Sequence, residues 1–207
     1  MKGIIGINDF GKYRCQGQTL SGFALIEVLL SILVLSLGVI GAASMQLTAM
    51  RTTQQSALQT AALELAVEMA DVMRANDRVM KQSDAVNPFL QVDYASSTEP
   101  AAPAVSCYGE AAHCSPEEIA DFTIYEWEKR LGATLPNARA LICRDASPWD
   151  SDAGSFAWAC HAAAGTGQGP LVIKIGWQGK NPDGSLDRDA NGQAMPGIAL
   201  TVEPYVR

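Results

Sequence analysis

The chain has 207 residues, of which 48% are apolar and only 18% are charged, whereas roughly 25% are charged in an ordinary soluble domain. Its formal net charge of −7 disfavours a role in neutralising nucleic-acid phosphates, so we expect no nucleic-acid partner. Two histidines and the lack of a phosphate-cradling glycine motif leave little material for common enzyme chemistry. We therefore expect a protein that is not an enzyme, built from one globular domain and one unusually apolar element.

The apolar element lies near the N-terminus. Residues 28–50 carry no charged side chain, and a helix of about 20 apolar residues is long enough to span a bilayer. Lys2, Lys12 and Arg14 precede this segment. By the positive-inside tendency, these basic residues leave the N-terminus in the cytoplasm and the bulk of the chain outside it. The sequence predicts a single-pass membrane protein with an exported C-terminal domain.

Glu27 lies inside the apolar segment and separates three interpretations. A cleaved secretory signal would use the small residues of Gly41-Ala42-Ala43, and a plain signal anchor would stay uncut. Neither has a use for a carboxylate, which costs roughly 2.5 to 3.5 kcal/mol near the centre of a membrane helix. The third interpretation is a leader that is cut earlier, between Gly22 and Phe23. The new amino group of one subunit then pairs with Glu27 of a neighbour, which offsets two charges that are costly alone in lipid.

The residues around this cut, Ser21-Gly22-Phe23-Ala24-Leu25-Ile26-Glu27-Val28, resemble the processing site of type IV pilins and type II secretion pseudopilins. Glycine precedes the cut, phenylalanine follows it, and glutamate stands at the fifth mature position. The resemblance implies that a prepilin peptidase removes the leader 1–22 and methylates the amine of Phe23. It also implies that Phe23 and Glu27 serve subunit assembly, and that the chain resides in the inner membrane, with its C-terminal domain in the periplasm, before it enters a pilus.

The helical pattern continues beyond the membrane segment. Apolar residues recur at spacings of three and four, with one polar interruption at Gln54. Read to about Arg74, the helix is roughly 78 Å long at 1.5 Å per residue. We expect a membrane half over 23–50 and an amphipathic periplasmic half over 51–80, which packs on its own domain and on other subunits. The stripe consists of Leu47, Met50, Leu58, Ala61, Leu65, Met69 and Val72.

Residues 81–207 are predicted to form one globular head domain. The stretch 81–114 is rich in Ser, Pro and Ala and predicts an irregular connection. Ser115 as N-cap, Pro116 and Glu118 predict the start of a helix with a capping box, and Gly132 marks its end. Strands are predicted at 138–144, 155–160, 171–178 and 197–206, joined as an antiparallel meander. The fold class is therefore α+β: a long N-terminal helix on an antiparallel sheet with a short extra helix, which is also the pilin fold.

A narrower resemblance lies at the end of the first helix. The stretch LAVEMADVMRAN at 65–76, with Trp127, Leu131 and Leu135-Pro136, is similar to PilV-type minor pilins. This resemblance implies a low-abundance subunit near the pilus tip that primes assembly and supports twitching motility and adhesion. It implies other major and minor pilins and a large tip adhesin as partners. A minor pseudopilin of a type II secretion system shares the leader and the architecture and stays open as an alternative.

The cysteines predict two disulfides. Cys15 lies in the leader, and an even count in the remaining, exported chain favours paired cysteines in an oxidising compartment. The four that remain are Cys107, Cys114, Cys143 and Cys160. We expect the first two to pair with each other and the last two likewise, because the second bond would join neighbouring strands. The alternative is a zinc site using His113 and His161, each next to a cysteine, although the cysteine spacing is not usual for zinc.

One loop has the pattern of a calcium site. Its oxygen ligands alternate as in the D-x-D-x-N-G start of a calcium loop, but Ile198 stands where a bidentate glutamate is usual, and Asp183 is a candidate for the missing carboxylate. The same residue types also form ordinary hairpin turns. The candidate ligands are Asp187, Asp189 and Asn191, and we expect no other cofactor. A second alternative is a membrane-anchored exported domain that binds its ligand with calcium, using Trp149, Trp158 and Trp177.

Overall fold

The computed structural model of the protein describes residues 22, 24–109, 112–162, 169–179, 185–186, 192 and 194–203. The chain divides into two compact units, Met1–Ala49 and Met50–Arg207. In its described residues, the first unit consists mainly of the beginning of a long helix. The second unit contains the rest of that helix and the head domain.

Helix α1 spans Leu25–Ala75, in agreement with the predicted end near Arg74. Every described residue up to position 57 is exposed, so Leu47 and Met50 do not join the core as the predicted stripe suggested. Leu58, Ala61 and Val72 pack only partly against the core. The stripe shifts because the buried residues of α1 all lie in its last third, within the second unit. The buried positions of α1 are Ala62, Leu65, Ala66, Met69, Ala70 and Met73.

The connection between α1 and the next long helix is more ordered than predicted. It contains the short helix α2 (Asp77–Met80), a 3-10 helix (Pro88–Gln91) and strand β1 (Asp93–Ala95). Asn87 caps the 3-10 helix, because its side-chain oxygen accepts a hydrogen bond from the backbone N–H of Phe89 at 3.0 Å. The prediction of an irregular connection over 81–114 was therefore wrong for its first half. Strand β1 is too short to give an alternating pattern, and its pairing with a distant strand is a tertiary feature.

Helix α3 spans Pro116–Thr134 and begins as predicted. The hydroxyl of Ser115 accepts a hydrogen bond from the Glu118 N–H at 3.2 Å, and the Glu118 carboxylate accepts one from the Ser115 N–H at 2.7 Å. The indole N–H of Trp127 donates to the backbone oxygen of Leu65 at 2.9 Å, which fixes α3 against α1 within the second unit. The apolar stripe of α3 is buried and consists of Ala120, Ile124, Trp127 and Leu131.

The main sheet has four antiparallel strands in the order β1-β2-β5-β6. Besides β1, its members are β2 (Arg139–Arg144), β5 (Leu171–Gly176) and β6 (Pro196–Val202), which match three of the predicted strands. Strand β5 is buried along its whole length. One face of the sheet shares a single apolar core with α1 and α3. The predicted α+β fold class is confirmed.

The predicted strand at 155–160 is not part of this sheet. Only β4 (Ser155–Phe156) is a strand, and it pairs with β3 (Trp149–Asp150) in a separate two-stranded sheet. The reason is a tight turn: one carboxylate oxygen of Asp150 accepts hydrogen bonds from the N–H groups of Asp152 and Ala153, and Gly154 has a φ of +63°. The chain closes locally, and this hairpin interrupts the expected meander between β2 and β5.

Candidate functional site

The predicted processing site lies directly before α1. Gly22 is exposed, and among the described residues nothing other than its chain neighbours comes within 4 Å of a Cβ placed on it. Phe23 lies outside the described residues. Glu27 is exposed in the first turn of α1, where its N–H donates to the Ala24 oxygen at 2.9 Å. An acidic residue in the first turn is favoured by the helix dipole.

The segment after Glu27 has the properties of a membrane helix. It is the only helix in the described part of the chain that is long and apolar enough to cross a bilayer. The serine hydroxyl groups within this apolar segment donate hydrogen bonds inside the helix. The hydrocarbon of a bilayer offers polar groups no other partner. Ser31, Ser36 and Ser44 donate to backbone oxygens three residues earlier at 2.7 to 2.8 Å. In the part of the chain that the structure describes, and apart from the backbone of the same helix, nothing lies within 4 Å of a Cβ placed on Gly38 or Gly41, so both leave room for a neighbouring helix.

The part of α1 in the second unit has a buried face and an exposed apolar face. Met69 and Met73 are fully buried in the core of the head, whereas Leu63 and Val67 are 47% and 42% exposed. Glu68 forms an ion pair with Arg130 of α3. Two apolar side chains left on the outer face of an anchored helix are available to another subunit.

Two disulfides tie the head domain. Cys107 bonds to Cys114 and Cys143 bonds to Cys160, which are the pairs predicted from the sequence. Because these sulfur atoms are bonded to one another, they supply no thiolate to a metal, and His113 and His161 are exposed. Among the described residues, no group of three His, Cys, Asp or Glu side chains is arranged to hold a metal ion. The zinc alternative therefore loses its cysteine ligands.

A buried ion pair lies on the face of the sheet opposite the core. Lys174 of β5 and Asp145 are 2.5 Å apart, and both side chains are inaccessible to solvent. The ammonium of Lys174 also donates to the backbone oxygens of Ala157 and Ala159 at 2.7 and 2.6 Å. We call residues 157–161 the strap. Lys174 thus holds the strap on β5, and the disulfide from Cys160 holds it on β2.

Asp145 stays ionised in this buried place. Burial by itself raises its pKa, but hydrogen bonds from Lys174 and from the N–H groups of Ser147 and His161 outweigh that effect and hold the pKa below its ordinary value of 3.8. The sequence analysis missed this pair. The signal was present, because Lys174 is the one charged residue in an otherwise apolar strand, LVIKIG.

The predicted calcium ligands Asp187, Asp189 and Asn191, together with Asp183, lie outside the described residues. Calcium binding therefore stays a prediction. The three tryptophans that were proposed as a ligand surface do not share one environment. Trp158 is half-buried, with its indole N–H donating to the Ala194 oxygen at 2.9 Å, and Trp177 packs against the core. Only Trp149 is exposed.

Comparison with known proteins gives one match. The family model for the type IV pilin Tt1218 matches residues 44–125, from the middle of α1 into α3. No curated protein and no solved structure matches the chain. The family match, the apolar N-terminal helix and the α+β head together support a type IV pilin subunit. They fit membrane anchoring, interaction with other pilins and a place in a pilus.

Proposed function

We propose that this chain is a PilV-type minor pilin. It is inserted in the inner membrane by α1, cut after Gly22, methylated at Phe23, and incorporated into a type IV pilus near its tip. The observation that carries the proposal is the combination of a pilin-type processing site with a helix that is uncharged over residues 28–50, and a match of a type IV pilin family model to residues 44–125, from that helix into the first part of the head.

The helix supplies the means of assembly. Its exposed apolar surface is stable in lipid and equally stable against the apolar helices of other pilins, so the subunit can leave the bilayer without exposing apolar surface to water. Glu27 pairs with the amino terminus of a neighbouring subunit, so that the two opposite charges offset each other's cost in an apolar surrounding. We assign the chain a structural role in priming the filament, supporting twitching motility and adhesion, and no catalytic role.

The head then faces the periplasm during assembly and the outside in the filament. Its partners in this proposal are other major and minor pilins, the prepilin peptidase and a large tip adhesin. The two disulfides suit an oxidising compartment of this kind.

The test is deletion of the gene, followed by assays of twitching motility and of secreted enzymes in the same strain. A minor pilin predicts lost or reduced motility with normal secretion, and the chain itself in sheared surface filaments at low abundance. The reverse outcome, normal motility with a secretion defect, identifies a minor pseudopilin instead. Normal results in both assays contradict the proposed function.

A further inference from the structure

We propose that the β3–β4 hairpin is a docking site for a basic surface of another protein, separate from the contacts made by α1. The partner carries arginine or lysine side chains beside an apolar pocket. This proposal does not depend on whether the filament is a pilus or a pseudopilus. It rests on an exposed aromatic side chain, a rigid support beneath it, and two carboxylates of the same hairpin that form no ion pair within the described residues.

The aromatic side chain is Trp149. It is 51% exposed, and its ring meets the ring of Phe156 edge-on with centroids 5.3 Å apart. Phe156 itself is half-buried, so it fixes the orientation of Trp149 without covering it. Tryptophan is among the residues that most often dominate the binding energy of protein interfaces.

The support beneath Trp149 is built to stay in one conformation. The Asp150 carboxylate closes the turn through two backbone N–H groups at 2.9 and 3.1 Å, and the Ala157 N–H donates to the Pro148 oxygen at 3.0 Å across the base. Below the base, the strap is fixed by the Cys160 disulfide and by Lys174. A side chain presented on a rigid element loses little entropy on binding, which favours affinity.

The hairpin is also acidic. Asp150 and Asp152 follow Trp149 in the hairpin, Asp152 is exposed, and neither carboxylate forms an ion pair within the described residues. Carboxylates bind guanidinium and ammonium groups strongly, and tryptophan is the best aromatic partner for a cation. The molecule already contains this kind of contact, because the guanidinium of Arg139 lies 4.4 Å from the ring centroid of Trp158.

Charge also selects between possible occupants. The chain has a net charge of −7, and like-charged surfaces repel, so a second copy of this chain is a poor partner for an acidic hairpin. A basic surface of a different protein complements both the ring and the two carboxylates. The proposed partner of the hairpin is therefore a basic surface of a different protein.

The experiment uses the full-length chain in its own cells. A photo-crosslinking amino acid replaces Ser151 at the tip of the hairpin, and the adducts are quantified on gels and mapped by mass spectrometry. The variants are Trp149→Ala and the double variant Asp150→Asn/Asp152→Asn, in which the side-chain oxygen of the new amide at position 150 still accepts the turn hydrogen bonds. Tyr108→Ala is the matched control, because Tyr108 is also exposed, at 69%, and also packs edge-on against a phenylalanine, Phe122.

We expect one main protein adduct whose crosslinked peptide carries lysine or arginine. Its yield should fall roughly tenfold in Trp149→Ala, about threefold in the double asparagine variant, and stay unchanged in Tyr108→Ala. Alkylation of free thiols in the same samples shows whether the Cys143–Cys160 bond has formed. If Trp149→Ala does not form this bond, the double asparagine variant alone decides.

The proposal is overturned by an unchanged yield in the folded variants. It is also overturned by adducts only to a second copy of this chain, to lipid, or to a peptide without basic residues. The mature N-terminus and motility are read from the same cells, so a failure of the proposed function is seen separately from a failure of the docking site.

Discussion

Lys174 and Asp145 face each other at 2.5 Å with neither side chain accessible to solvent. Lys174 binds two carbonyl oxygens of the strap, and Asp145 binds the N–H of His161 at the end of the strap. One ion pair thus fixes both ends of a segment that covers β5. Because isolated buried charges are costly, each of the two residues depends on the other.

Replacement of Lys174 by methionine should destabilise the head by about 3 to 5 kcal/mol, because it leaves the Asp145 carboxylate buried without a cation. The free energy of unfolding of the full-length chain in detergent micelles measures this loss. The double variant Lys174→Met/Asp145→Leu should recover a large part of the loss, although the carbonyls of Ala157 and Ala159 remain without their donor. A double variant as unstable as the single one would show that the ion pair is not the source.

The contribution of Asp145 should depend on pH in one direction. Its pKa is lowered in the folded state, so its stabilising effect is complete above the unfolded value and is lost as the pH falls through the folded value. The difference in unfolding free energy between the natural chain and Asp145→Asn should therefore shrink below about pH 3.8. Unfolding curves at several pH values measure it.

Asp84→Asn is the control for this titration. Both carboxylate oxygens of Asp84 accept hydrogen bonds from Arg144, at 2.6 and 2.9 Å. These bonds lower the pKa of Asp84, but the pair is partly exposed to solvent. Exposed pairs contribute little, so the effect of Asp84→Asn should be small at every pH. A constant difference for Asp145→Asn would contradict the account of the buried pair.

Removal of the disulfides should give two different losses. In the chain-entropy picture, a bond that closes a longer loop stabilises more, so Cys143→Ala/Cys160→Ala should cost about 3 kcal/mol and Cys107→Ala/Cys114→Ala about 2.5 kcal/mol. The second measurement is hydrogen exchange. Loss of the Cys143–Cys160 bond should speed exchange at Ala157 and His161, two residues of the strap whose N–H groups form hydrogen bonds. Loss of the Cys107–Cys114 bond should not. Equal exchange in both variants would show that the disulfide does not hold the strap.

The sequence predicted what short-range chemistry decides. Helix α3 begins at Pro116 because the side chains of Ser115 and Glu118 each accept a hydrogen bond from the backbone N–H of the other residue. Three strands of the main sheet were predicted from their apolar residues. Two features escaped because they depend on distant partners: the pairing of β1 with β2 and the meeting of Lys174 with Asp145. The hairpin that takes over the predicted strand at 155–160 is local, and it escaped because the turn chemistry of Asp150 and Gly154 was not recognised in the sequence.

Gly176→Ala should destabilise the head, because an added methyl group would meet the backbone oxygen of Met195 at 2.5 Å and the ring of Trp158 at 2.7 Å. Overpacking of this kind costs about 1 to 3 kcal/mol, and the unfolding midpoint measures it. Gly38→Ala is the control, since no described residue outside the adjacent helix backbone lies within 4 Å of a Cβ at that position. An unfolding midpoint unchanged by Gly176→Ala would mean that Trp158 does not pack on β5.

Glu27→Gln should separate processing from assembly. The variant keeps the Gly22 site intact, so the leader should still be removed, but a neutral side chain no longer neutralises the amino group of a neighbour in an apolar surrounding. We expect the mature variant to remain in the membrane fraction and to fall severalfold in sheared filaments. Normal incorporation would contradict the assembly role of Glu27.

The N-terminus of the mature chain tests the central claim most directly. It is determined by mass spectrometry in cells with and without the prepilin peptidase. The account predicts a chain that begins at N-methylated Phe23 and that keeps its leader when the peptidase is absent. A chain that begins near Ser44, or that keeps Met1 in both strains, would contradict the pilin account and leave a membrane-anchored exported domain in its place.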